Sequence, residues 1–318
     1  MDVLTTPKLP LADWLAVMER EYLSAFVPAG GAAVKFAILD DGAIDTTAGR
    51  LAGLGRTHAM LTVSVDAGRT RIHMMHELFF AIARDLPWDS LVQRYLEAVF
   101  AGRNYSWPRP GEAVAIADLA AAFAVAPNLL AHRVDQWLTA DVWDDRRLAQ
   151  DFRAAVLSLC LSRLDGVRST SGGPAAQWLR GEKVAPVALS GAGISVRISR
   201  TNARAMLVSL CHFLRKAGVA GLLVVLDVRR LSCTEAAADM LRYSPAGVMD
   251  TYEVLREIID DAENLPGLFV AVLADAALAT GDPRRALAQY AALQMRVWPD
   301  VRPGDRQNPM APLVWLAA

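Results

Sequence analysis

Gly221-Leu222-Leu223-Val224-Val225-Leu226-Asp227 is an unbroken apolar run closed by a carboxylate. A run of this length and composition reads as a strand buried on both faces, the mark of a parallel sheet covered by helices. Working outward, residues 33–39, 59–65 and 268–274 have the same character, and 312–316 adds a last short run. Amphipathic helical patterns separate them. Residues 11–27 carry Leu11, Trp14, Leu15, Met18, Tyr22 and Phe26 at three- and four-residue spacings, and further helices are predicted over 46–54, 72–86, 248–262 and 283–295. This alternation predicts an α/β fold with a mainly parallel sheet flanked by helices. In such sheets ligands bind beyond the carboxyl ends of the strands. Here those ends are the segment from Leu39 to Asp45, then Asp66, Asp227 and Asp275, a convergence of acidic residues.

The chain has 318 residues, 53% of them hydrophobic, enough for one large domain over 1–318. Residues 87–219 read differently: mostly helical, rich in Ala and Trp, with turn clusters at 102–111 and 165–174, and ambiguous between loop and short strand at 184–200. This segment reads as a helical insertion within the domain. It holds Trp88, Trp107, Trp137, Trp143 and Trp178, for which core is the default reading and interface the alternative.

A net charge of −1 gives no general attraction to nucleic acid or anionic membrane. The longest strongly apolar run, 219–226, falls far short of the roughly 20 residues needed to span a bilayer. The first ten residues lack the pattern of a signal peptide. Cys160, Cys211 and Cys233 are too scattered for a disulfide framework and read as reduced thiols. A cytoplasmic protein is expected. His73, His76 and Glu77 lack a third ligand and are not H-E-x-x-H, so no metal is expected there. Ser195 and Ser244 have no His or acid at a triad spacing.

A strand, a Gly-containing turn and a helix near the start, with a distant strand ending L-L-V-V-L-D, are the two halves of a P-loop nucleotide-binding core. The segments 14–22, V-K-F-A at 34–37, W-L-R-G-E at 178–182, 217–227, Y-S-P-A-G-V-M-D-T-Y-E at 243–253 and N-P-M-A-P-L-V at 308–314 resemble, in order and spacing, one family. These are the ATP-binding P-loop proteins of bacterial BREX-type phage-defence loci, distant relatives of the AAA-type ATPases. The resemblance implies a P-loop (AAA/ASCE-like) sheet. The chain ends where such ATPases usually continue into a helical lid, so no lid is expected.

Set in register with G-x-x-x-x-G-K-[ST], the chain reads Leu39-Asp40-Asp41-Gly42-Ala43-Ile44-Asp45-Thr46. Leu39 and Ile44 take the two glycine positions and Asp45 the lysine. Thr46 keeps the magnesium hydroxyl, and Gly42 is a lesser match. Ile44 does not readily take the positive φ open to Gly. Exchanging Lys for Asp turns one contact from roughly −4 to +4 kcal/mol at 4 Å and an effective dielectric near 20, and Asp40 and Asp41 add to the repulsion. The competing local reading is that Asp45, ahead of Thr46 and Thr47, caps the helix and fills the site with its own carboxylate. At the Walker B position Asp227 is followed by Val228, where an ATPase needs a Glu to polarise water. Arg229 and Arg230 read as a charged rim, with vestigial contacts of the site as the alternative. Asp275 stands where a polar sensor belongs, and Arg296, with Arg284 and Arg285 behind it, is a candidate arginine finger acting in trans against a solvated-face alternative.

The degenerate site of Asp40, Asp41, Gly42, Asp45, Thr46, Thr47, Asp227 and Asp275 predicts a pseudo-ATPase without a cofactor, acting as scaffold or regulatory subunit beside a protein partner or a second copy. One alternative is a weak or partner-completed ATPase holding ATP and magnesium. The other is a small-ligand sensor using the vacated cleft.

Overall fold

The computed structural model describes residues 7–168, 170, 172–233, 239–298 and 307–317. Ser169 and Ser171 of the loop at 168–174, and the first six residues, lie outside these. The chain divides into two compact units, 1–82 with 220–318, and 83–219. In chain order the first part holds β1 (Leu9–Pro10), α1 (Leu11–Val17, running on as a π-helix over Met18–Phe26), β2 (Ala33–Ile38), α2 (Asp41–Thr57), β3 (Leu61–Asp66) and α3 (Met75–Asp85). Then come α4 (Trp88–Ala101), α5 (Ile116–Ala122), α6 (Pro127–Leu138), α7 (Gln150–Leu164), α8 (Pro174–Leu179), α9 (Pro186–Gly191) and α10 (Ala203–Lys216). The rest is β4 (Leu222–Asp227), α11 (Arg229–Ser232), α12 (Pro245–Asp260), β5 (Leu268–Ala274), α13 (Ala277–Thr280), α14 (Ala291–Val297) and β6 (Leu313–Ala317).

The first unit is built on a six-stranded sheet in the order β1-β6-β2-β5-β4-β3, parallel at every pairing. The strand before the Asp40–Asp45 segment and the strand ending in Asp227 are separated by β5, the arrangement of a P-loop core with an inserted strand. All of β5 and all of β4 except Asp227 are buried, which is why these strands read as continuous apolar runs rather than as alternation. One face is covered by Trp14, Met18, Leu23, Ile44 and Leu51 from α1, its π continuation and α2, packed on Leu223, Val225, Phe269, Ala271 and Leu273. Gly221 opens β4 because nothing larger fits. A Cβ there would stand 2.6 Å from Val27 Cγ1 and 2.9 Å from the Gly267 carbonyl.

Three expectations are corrected. The helix predicted over 46–54 begins at Asp41 and runs to Thr57, since acidic residues at its start favour early nucleation at the positive end of the helix dipole. The helix predicted over 283–295 is instead a 3₁₀ turn at Leu287–Gln289 followed by the shorter α14, Ala291–Val297. Residues 184–200 hold the helix α9 and no strand.

The second unit is helical. Trp88, Phe152 and Tyr95 pack around Phe213, and Trp107, Trp137 and Phe123 around Phe100. Trp88, Trp107 and Trp178 are buried, each with its indole N–H donated to a backbone carbonyl. Trp143 is 41% exposed, with the Arg153 guanidinium 5.2 Å from its ring.

Lys35, in the middle of β2, is buried; its Nζ donates to the Met310 carbonyl at 2.6 Å and lies 4.7 Å from the Tyr22 ring. Burial pushes its ammonium from 10.5 down to about 8. The unfolded chain therefore holds this proton more tightly, and the group's contribution to stability increases as pH rises from about 8 to 10.5. Lys35→Met is expected to be more stable than wild type at pH 7, by at most about 3 kcal/mol, with the advantage shrinking towards pH 10.5. Denaturant melts of both proteins across that range check it. A variant less stable at neutral pH would mean that the Met310 and Tyr22 contacts outweigh the cost of burial.

Candidate functional site

Parallel register brings the strand ends into one line. Ile38 is opposite Ala274, Asp227 opposite Leu273, and Asp66 opposite Asp227. Asp66 and Asp227 are thus ladder neighbours, Asp275 follows the end of β5, and Asp41 and Asp45 stand on the first turns of α2.

One guanidinium gathers three of these carboxylates. Arg229, two residues past the end of β4, turns back so that its backbone N–H donates to Asp227 Oδ1 at 3.0 Å. Its Nε lies 3.1 and 3.0 Å from the two Asp227 oxygens, and Nη2 2.6 Å from Oδ2. Nη1 donates to Asp41 Oδ1 at 2.9 Å, and Nη2 to Asp45 Oδ1 at 2.7 Å. The hydrogen bonds to Asp227 are the largest cause holding this guanidinium above its usual range; burial opposes them and the bond to Asp41 adds to them. Arg229 and Asp227 are 26% and 20% exposed, so their fork is a partly desolvated, charge-assisted contact of the strong kind. Asp41 and Asp45 are 75% and 80% exposed, and their arms belong with surface ion pairs.

The other predicted residues are dispersed around this centre. Asp40 is the N-cap residue of α2 in position, but its side chain caps nothing and accepts from Lys8 Nζ at 2.9 Å. Gly42 lies in the first turn, without a positive φ, and a Cβ there would meet nothing within 4 Å. Asp45 does not cap the helix. The helix starts four residues before it, and its carboxylate goes to Arg229 instead. Thr46 is exposed, and Thr47 is buried with Oγ1 donating to the Ala43 carbonyl at 2.8 Å. Asp275 accepts from the Ala277 N–H at 2.9 Å; burial raises its carboxyl above the ordinary range, that bond opposes the rise, and Asp41 adds to it.

Arg296 is held on Asp260 through Nε and through Nη2 at 2.8 Å, so its guanidinium is engaged within its own unit. Arg285 is buried against the carbonyls of Leu231 and Tyr243, and Arg284 pairs with Asp282 on the surface.

Beside Arg229 remains a cleft of about 350 Å³, lined by Asp66, Asp227, Arg230, Cys233 and Asp275 among others. The expectation that Asp45 fills the strand-end site is therefore overturned: Arg229 does the pairing, and open space is left. Arg229 and Arg230 are not a rim. Arg230 is buried, with Nε donating to the Leu241 carbonyl at 2.7 Å. The available sequence signal was the spacing Asp227-Val228-Arg229, which lets a side chain fold back on the carboxylate two residues before it. Among the described residues, no group of three or more His, Cys, Asp or Glu is arranged to hold a metal.

The family model for the BREX system ATP-binding protein BrxC/D matches residues 126–318, more than half of the chain. Asp227, Arg229, Asp275 and Arg296 fall inside the match, whereas Asp40–Thr47 precede it. No curated protein and no solved structure matches. Among the described residues no helix is long and apolar enough to cross a membrane.

Arg229→Gln leaves three carboxylates without their shared cation. It is expected to lower stability by about 1–3 kcal/mol, whereas Asp45→Asn should change it by no more than about 1 kcal/mol. Urea melts of the two variants separate the partly buried arm from the exposed one. Equal losses would contradict the ranking.

Proposed function

We propose that this chain, which belongs to the family of BREX system ATP-binding proteins BrxC/D, no longer handles nucleotide and serves as a scaffold or regulatory subunit of a phage-defence system. The carrying observation is the guanidinium of Arg229, bound at once to Asp227, Asp41 and Asp45. A magnesium–triphosphate asks three things of this end of a P-loop sheet: backbone amides that close round the phosphates, a cation beside them, and a strand-end carboxylate free for the metal. Here only two residues, Leu39 and Asp40, join β2 to α2, which leaves no loop to close round the phosphates and only the open amides of the first turn of α2. The side chains at the helix start are the carboxylates of Asp40, Asp41 and Asp45. The Asp227 carboxylate is already engaged, and Val228 brings no base. These residues do not fit a magnesium–nucleotide.

Two observations favour other readings. The family is described as ATP-binding, which favours a site completed by a partner, with Arg229 swung out. The 350 Å³ cleft favours a small ligand held beside Arg230 and Cys233. The scaffold reading looks instead to the helical unit, 83–219. There the exposed Trp143, under Arg153, is the aromatic group available to a protein partner or a second copy.

Calorimetry of the purified protein with ATP or GTP and magnesium is expected to give no saturable heat. A micromolar dissociation constant would sink the proposal. In pull-downs from cells carrying the whole defence locus, Trp143→Glu is expected to lose protein partners that Arg229→Gln retains. The reverse pattern would move the contact to the strand ends.

A further inference from the structure

We propose that the helical unit carries a binding site of its own for a small phosphate ester, independent of the strand-end cleft. A cavity of about 630 Å³ opens there between Arg109, Arg163 and Arg168, with Glu112, Asp118 and Gly166 also on its wall. That volume lies in the range of small-ligand sites.

The reason to assign it an anion is Arg163. Its side chain, on α7, is 4% exposed, yet its partners among the described residues are all neutral. Nε and Nη2 donate to Gln93 Oε1 at 3.3 and 2.9 Å, and Nη1 donates to the Arg168 carbonyl. Among the described residues, no carboxylate comes within salt-bridge distance of it. A guanidinium has five N–H donors, and these contacts use three. A buried cation without a counter-ion is costly, and the desolvated Arg163 faces a cavity whose rim adds two more guanidinium groups. Arg109 lies 3.9 Å from Glu112, a loose surface pair, while Arg168 stands exposed at the mouth.

The walls are held in place. Glu97 fixes the Gln93 amide at 2.8 Å and accepts from the Gly111 N–H at 2.7 Å. Asp89 accepts from the N–H and hydroxyl of Thr170 at 2.8 and 2.6 Å, which ties down the chain just past Arg168.

The mixture of charges narrows the ligand. Planar guanidinium forks match phosphate oxygens. Glu112 and Asp118 repel a long polyanion but accept hydrogen bonds from hydroxyl or amino groups. A single phosphate on a small polyhydroxylated body meets both, as in a sugar phosphate or a mononucleotide. An extended nucleic-acid backbone does not.

The test is calorimetry on the full chain with ribose 5-phosphate, AMP, inorganic phosphate, ribose and a short single-stranded DNA. Ribose 5-phosphate, AMP or both are expected to bind saturably and more tightly than inorganic phosphate, with ribose silent. Arg168→Glu, an exposed change, should weaken that binding at least tenfold without shifting the melting temperature, and Arg163→Gln should abolish it. Because Arg163→Gln also risks the fold, the Arg168 variant is the decisive one. Binding lost in Arg229→Gln and kept in Arg168→Glu would move the ligand to the strand-end cleft and overturn the site. So would no saturable binding by either ester, equal affinity for inorganic phosphate, or a preference for DNA.

Discussion

Parallel strands deliver their carboxyl ends to one edge of a sheet, and in this chain that edge is acidic. Asp66 and Asp227 are neighbours in register, Asp275 follows the adjacent strand, and Asp41 and Asp45 lie on the helix after β2. Two like charges 4 Å apart at an effective dielectric near 20 repel by roughly 4 kcal/mol, so such an edge needs a cation. Arg229 is that cation. Its own backbone N–H and its guanidinium hold Asp227, and the remaining donors reach across to α2. The contact joins the end of β4 to the start of α2, the two segments from which a P-loop protein builds its nucleotide site.

The same contact accounts for the shape of the β2–α2 link. A phosphate loop keeps its amides out of the helix so that they point at a ligand. Here the acidic residues complement the amino end of α2, and the helix begins at Asp41. The side chains of that first turn are then aimed at Arg229 and not at an anion. The helical unit shows the opposite balance. Arg163 is buried among neutral acceptors, and its charge is left for something outside the chain. One arginine is saturated by carboxylates at the strand ends, and the other, among the described residues, has no carboxylate partner beside its cavity.

Much of the fold was legible in the sequence because its strands are buried on both faces. The runs 222–227 and 268–274 cannot be mistaken for amphipathic helices, and the acidic residues read at the strand ends do lie along one edge of the sheet. The start of α2 was not legible, since Asp40-Asp41-Gly42 reads equally as a turn and as a first helical turn. Its tertiary partner, 188 residues away, adds to the local dipole effect in favouring the helix. Arg229 was missed for a related reason. A charged residue after a strand is usually a solvated rim, and its role depends on the register that sets Asp227 beside α2. The interruption between the 3₁₀ turn and α14 was not legible, because no Gly or Pro marks residues 286–291. The Arg163 cavity had no sequence signal, because Arg109 lies far in the chain from Arg163 and Arg168 and only the fold brings them together.

The most direct measurement is a crystal structure grown with manganese and a non-hydrolysable ATP analogue, with anomalous scattering used to locate the metal. Arg229 is expected between Asp227, Asp41 and Asp45, at contacts of 2.6, 2.9 and 2.7 Å, with no anomalous peak at the strand ends. Manganese on Asp227, with Arg229 turned away and a triphosphate along the start of α2, would contradict that arrangement.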